Sequence, residues 1–139
     1  MDNVPECFYR ISIKALILNE TKDKFLICQE ESGMWDLPGG GLNWETKPQD
    51  DLAREIQEEM GLNITKVAER PSYFVTEMHV KKGLWKANVV YETELEHLNF
   101  TPSEECVGIR FVNKDDVAAL ETFPGVKQIA EQFNPENHL

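Results

Sequence analysis

The sequence predicts a mixed α+β sandwich built on a β-sheet core. Three observations predict it. Short apolar runs rich in β-branched and aromatic residues lie on both sides of one strongly amphipathic helical segment, two more helical segments close the chain, and 139 residues (16.0 kDa) make one continuous core but not two. One domain spanning residues 1–139 is therefore expected. Hydrophobic residues are 41% and charged residues 28% of the chain, ordinary globular usage that excludes a fibrous or disordered architecture.

Phe8 to Leu18 (FYRISIKALIL) is β-rich and partly alternating, and Lys24 to Gln29 (KFLICQ) is a second apolar run; with polar Asn19 to Asp23 between them they read as a hairpin. After Trp35-Asp36-Leu37 comes Pro38-Gly39-Gly40-Gly41, which reads as a loop in which glycine permits close backbone approach. Thr46 to Met60 reads as a helix: Thr46 and Gln49 have capping-box spacing, Pro48 suits the first turn, and Gly61 follows as a stop. At about 100° per residue, Leu52, Ala53, Ile56 and Met60 share one side and should face the core. Asp51, Glu55, Glu58 and Glu59 share another, within a sector of about 100°. Further strands are expected at Tyr73 to Val80, Leu84 to Leu95 and Val107 to Val112, separated by Lys81-Lys82-Gly83 and by the polar segment around Thr101-Pro102-Ser103. A short helix from Asn113 or Lys114 to Leu120 and a last one near Val126 to Phe133 complete the chain, without repeats or linkers.

The net charge is −11, spread along the chain, so no basic stripe exists to hold double-stranded nucleic acid, and a small anionic substrate would need metal ions to mediate. Cys7, Cys28 and Cys106 are few, odd in number and far apart, which fits buried free thiols in a reducing cytoplasm. Met1 to Glu6 has no signal-peptide pattern, and no segment approaches 18 consecutive apolar residues, so no membrane association is expected.

Glu55, Glu58 and Glu59 stand at i, i+3 and i+4, which brings their carboxylates within roughly 6 Å along the helix axis. Clustered glutamates usually mean a solvated face, but such a face normally intersperses lysine, and here only Arg54 lies near, spaced to pair with Glu58. Hard divalent cations among the carboxylates explain the repulsion better. The glycine run feeding this helix lets backbone groups of Gly40 and Gly41 approach a metal or phosphate.

Gly40 through Leu62 resembles the Nudix box, G-x5-E-x7-R-E-U-x-E-E-x-G-U with U a bulky aliphatic residue. Arg54-Glu55-Ile56, Glu58-Glu59 and Gly61-Leu62 fall on its fixed positions without gaps, and Trp35-Asp36-Leu37-Pro38-Gly39 is similar to the approach found in many members. One position departs: Thr46 stands where the box has glutamate, with Glu45 one residue early. Either Glu45 takes over, or Thr46 serves only as the helix cap and the usual partner of Arg54 is lost.

The resemblance implies an α/β/α sandwich with a mixed sheet and a Mg2+-dependent pyrophosphohydrolase, with Mn2+ as a substitute, in which water attacks a phosphorus of a nucleoside diphosphate linked to another moiety. It implies Glu55, Glu58 and Glu59 as metal ligands, Glu55 or a loop residue as base, Arg54 orienting Glu58, the Gly39 carbonyl as a further ligand, and a later ligand for which Glu104 and above all Glu105 are candidates. Trp85, Trp44, Tyr73 and Phe74 offer faces on which a purine could stack; His79 and His97 lack metal-ligand spacing. Pro71 and Tyr73 come too soon after the box for the marks of ADP-ribose or dinucleoside polyphosphate subfamilies. By analogy with family members of similar build, the short chain without an N-terminal extension points to a nucleoside triphosphate or small nucleotide sugar as the expected partner, acted on by a monomer or homodimer. Two other classes stay open: a catalytically silent Nudix-fold nucleotide-binding module, and an acidic calcium binder, for which an EF-hand loop is missing.

Overall fold

The computed structural model describes residues 5–139, so the sequence reading of residues 1–4 lies outside the described residues. The strands are β1 (Arg10–Leu16), β2 (Phe25–Gln29), β3 (Trp35–Asp36), β4 (Gly39–Gly41), β5 (Ile64–Val67), β6 (Tyr73–His79), β7 (Leu84–Leu95) and β8 (Gly108–Val112), and the helices α1 (Pro48–Met60), α2 (Lys114–Ala118) and α3 (Pro124–Gln132). A 3-10 turn at Pro135–His138 ends the chain.

β1 is the centre of the larger sheet. It runs parallel to β7 and antiparallel to β4, while β7 also takes β6 and β5 antiparallel along successive parts of its length. A second sheet has the order β3-β2-β8. The expected hairpin between the first two strands does not form: both edges of β1 are occupied, so β2 joins the other sheet, and only a bridge at Leu18 and Phe25 links the two runs.

Side-chain alternation gives the larger sheet two faces. Ile13, Ala15, Ile17 and Tyr91 pack with Leu52, Ile56 and Met60 of α1. Leu16, Tyr73, Val75 and Val90 pack on the other side with Phe25 and Ile27 of the second sheet and Val126 and Ile129 of α3. The result is the α/β/α arrangement. Among the described residues no helix is long and apolar enough to cross a membrane.

Four local expectations are corrected. The glycine run expected as a loop is strand β4, paired antiparallel with β1 through Gly39, Gly40 and Gly41. Ala53 is exposed: the buried residues of α1 are Asp51, Leu52, Ile56, Glu59 and Met60, so the helix is turned to bury Asp51 and Glu59 instead. The capping box of Thr46 and Gln49 is not made. Lys47 is the N-cap with Pro48 behind it, Thr46 Oγ1 donates to the Trp44 carbonyl, and the Gln49 amide reaches the carbonyls of Ala68 and Glu69. Cys7 is exposed, whereas Cys28 and Cys106 are buried and all three are free thiols. At the other end of α1 the expected stop holds: Gly61 is left-handed (φ 65°) and its N–H donates to the Gln57 carbonyl at 3.0 Å.

Candidate functional site

A cleft of about 380 Å³ opens beside the glycine run, between the polar face of β1, the C-terminal half of α1, the β6–β7 hairpin and the turn before β8. Its acidic wall comes from two places in the chain. Glu55 and Glu59 project from α1, one turn apart. Glu105 arrives from a tight turn, closed by the paired Ser103–Cys106 backbone bonds and fastened to the end of α1, where Ser103 Oγ donates to the Glu59 carbonyl at 2.7 Å and Thr101 N–H to the Met60 carbonyl at 2.8 Å. One carboxylate oxygen of each of the three lies within 4.8 Å of the other two.

The glycine run makes room for these acids. A Cβ on Gly40 would fall inside the Glu55 carboxylate, and a Cβ on Gly39 (φ 137°) would meet the Ile13 carbonyl. The Gly39 N–H donates to Glu59 Oε1 at 3.3 Å. Asp51, buried in the first turn of α1, accepts the Asn43 N–H at 2.7 Å and so fastens the loop between β4 and α1. That bond supplies the loop anchor that Thr46 does not. Neither expected outcome at this position occurs: Glu45 takes no ion pair with Arg54, and Arg54 is met instead by Asp51 (3.5 Å), Glu55 (3.1 Å) and Glu58 (3.0 Å).

Electrostatics follow from burial. Glu59 is 5% exposed; burial is the largest influence on its carboxyl, Lys14 opposes it, Glu105 adds to it, and the pKa is pushed up to about 9. Burial also raises Glu55, against Arg54. Lys14, from β1, is buried beneath them with Nζ 3.2 Å from Asp36 and 3.3 Å from the Leu37 carbonyl. Burial acts to lower its pKa, but Asp36, Glu59 and Glu77 together outweigh burial and hold it above the ordinary value.

The facing wall is basic in spite of the acidic chain: Arg10, Lys82 and Lys86 line it. Arg10 lies where a Cβ of Gly41 would be and donates to the Leu42 carbonyl. At the rim His79 stacks on Phe123, ring centroids 5.4 Å apart at 29°.

Of the residues singled out from sequence, Gly39, Gly40, Gly41, Glu55, Glu59 and Glu105 therefore meet in one cleft. Glu58 stands apart, its carboxylate exposed and held by Arg54. Trp85 is not brought to the cleft. Leu84 and Lys86 face it, so Trp85 between them points to the opposite side of the sheet, where its ring meets Tyr9 edge-on. Trp44 is 96% exposed, Phe74 is exposed, and Tyr73 is buried against His138. Lys14, Lys86 and Phe123 were missed, and His79, set aside for want of metal-ligand spacing, lines the cleft. The available signal was Arg10, Ser12 and Lys14 at i, i+2 and i+4, a polar face on an otherwise apolar strand.

The donor set suits a hard divalent cation: three carboxylates, oxygen only, one of them buried without an ion pair among the described residues, and a glycine where any side chain would displace Glu55. Gly40→Ala is expected to displace that carboxylate and to weaken manganese binding by about 10- to 100-fold in titration calorimetry. Unchanged affinity in a folded variant would count against the site.

The NUDIX domain family model matches residues 8–133. A Mycobacterium tuberculosis protein named "Putative 8-oxo-dGTP diphosphatase 3" is 30% identical over 100 residues, covering 71% of this chain and 46% of that protein, so the chain spans about half the length of this curated relative. Among solved structures, the MutT protein from Methanosarcina mazei Go1 is similar at 27% identity and a TM-score of 0.68, covering 98% of this chain and 100% of the other. An ADP-ribose pyrophosphatase from Streptococcus suis is similar at 29% identity and a TM-score of 0.62, covering 90% and 87%. With the box in the sequence, the sandwich around it and a family model running from the first strand to the end of the last helix, the chain belongs to the Nudix family.

Proposed function

We propose that the chain is a divalent-metal-dependent hydrolase that cleaves a phosphoanhydride bond in a nucleoside diphosphate linked to another moiety, of nucleoside triphosphate or nucleotide-sugar type, by attack of water on phosphorus. The observation that carries this reading is the convergence of Glu55, Glu59 and Glu105 on one wall of a cleft whose facing wall is basic. The names of the relatives, diphosphatase and pyrophosphatase, support it.

Magnesium, or manganese in its place, is the ion the oxygen donors suit; when bound it supplies charge neutralisation of the phosphates and activation of water. The chain's own residues do the rest. Glu59, held by the Gly39 N–H, and Glu55, seated over Gly40, present oxygens at fixed positions, and Glu105 completes the set from the turn before β8. Glu58 joins them by rotating off Arg54, which otherwise keeps it oriented. Glu55, half-buried and with its pKa raised, is the base that takes the proton of the attacking water. The backbone of Gly39, Gly40 and Gly41 allows phosphate to approach closely, while Arg10, Lys82 and Lys86 balance its remaining charge. Phe123, stacked on His79, offers the flat face for a base that Trp85 does not. Two buried free thiols suit a reducing cytoplasm.

The test is a phosphate-release panel of nucleoside triphosphates, ADP-ribose, nucleotide sugars, dinucleoside polyphosphates and capped RNA, with magnesium or manganese. At least one class should turn over, and EDTA should abolish the activity. A blank panel from folded protein that still binds nucleotide would instead mark a silent binding module.

A further inference from the structure

The side of the larger sheet that faces away from the cleft is only half covered. α1 packs over the β4 and β1 side, against Ile13, Ala15 and Ile17. Beyond it, where β7 and β6 continue toward their hairpin, the same face carries Tyr9 (45% exposed), Ile11 (41%), Phe74 (60%), Met78 (38%) and Trp85 (49%). Strand register makes these neighbours: Met78 lies opposite Trp85, Phe74 opposite Val89, Ile11 opposite Ala87, and Tyr9 touches Trp85 edge-on. Thr76 and Ala87 lie between them, so the described strand positions of the patch carry no charged side chain.

We propose that this face is a two-fold interface with a second copy of the chain. With aromatic side chains at about 150–250 Å² each, the five residues expose on the order of 500 Å² of apolar surface, near the upper end for a monomer. Adding the rim, this approaches the roughly 800 Å² per partner that a stable interface uses. Two flat sheet faces pack together at one of two favoured angles, and a patch of this kind is complementary to itself. Charge selects the occupant. A basic partner would find no carboxylate to pair with at these strand positions, whereas a second copy, though its chain carries a net charge of −11, meets no like charge at them. Because Leu84 and Lys86 face the cleft while Trp85 faces the patch, the pair would sit back to back with both clefts open.

Sedimentation of the full chain from about 1 to 200 μM should show mass-action dimerisation toward twice 16.0 kDa. Phe74→Glu and Trp85→Glu should each raise the dissociation constant at least about tenfold, while Trp44→Glu, outside the patch, should not. A monomer at every concentration overturns the proposal, as does a dimer indifferent to both patch substitutions. A monomer that cosediments with anionic phospholipid vesicles would give the face to a membrane and overturn it equally. Should the glutamate variants unfold, hydroxyl-radical footprinting of the wild type decides: Met78 and Trp85 must become protected as concentration rises, and constant reactivity rejects the interface.

Discussion

Glu59→Gln is expected to lower turnover by about a thousandfold and, in the same protein, to raise the melting temperature of the metal-free form at alkaline pH. The two effects share one cause. Glu59 is buried at the head of the cleft, Glu105 and Glu55 repel it, Lys14 compensates only in part, and its carboxyl is pushed up to about 9 from an ordinary 4.5. Between those values the native state holds a proton that the unfolded chain has released, so stability falls as pH rises through that window. The loss amounts to a few kcal/mol, about 10 °C in melting temperature for a chain of this size. Glutamine keeps the shape and the oxygen that accepts the Gly39 N–H but carries no charge, so the dependence should flatten. Thermal unfolding in EDTA from about pH 5 to 9 measures it. Magnesium should restore the wild type at the upper end and leave the variant unmoved. A wild type equally stable across the range would show that Glu59 is not the strained group described.

The α1 acids were legible because a helix is a local object: its spacing, its glycine stop and the box that overlies it can all be read in 23 residues from Gly40 to Leu62. Which of those acids share a site was not. Glu55, Glu58 and Glu59 lie within one sector, and only the turn of the helix, set by Leu52, Ile56 and Met60 against β1, buries Glu59 and leaves Glu58 to Arg54. Likewise Glu104 and Glu105 look alike in sequence. The turn from Ser103 to Cys106 separates them, giving the Glu104 carbonyl to the Glu31 N–H and sending the Glu105 carboxylate to α1. The hairpin error has the same origin. Adjacency along the chain favours pairing β1 with β2, but β7, more than 70 residues away, occupies that edge in parallel register. Trp85 failed for a simpler reason: alternation says that neighbours on a strand face opposite ways, and sequence alone could not say which way was the cleft.

Lys14→Met is expected to destabilise the protein by about 3–5 kcal/mol at neutral pH, the largest loss of any single replacement in the cleft. Methionine matches the buried stem, so the effect is electrostatic. Lys14 Nζ, 3.2 Å from Asp36, is the cation buried under the acidic wall, and without it Asp36 loses its charge partner at neutral pH, as Glu59 does once it ionises near pH 9. The ammonium stays charged through the physiological range because Asp36, Glu59 and Glu77 outweigh its burial, so its own titration does not shape the result. The deficit should grow as pH rises through about 9, because Glu59, protonated at neutral pH, then ionises in the wild type and draws on the cation. That added part should vanish in the Lys14→Met, Glu59→Gln double variant, where no charge forms at this position. Urea unfolding of the four proteins at about pH 9 to 10 gives the cycle, with a coupling of at least about 1 kcal/mol expected between the two sites. Strict additivity would mean that Lys14 serves Asp36 alone, and that the acidic wall is held by its backbone contacts without help from beneath.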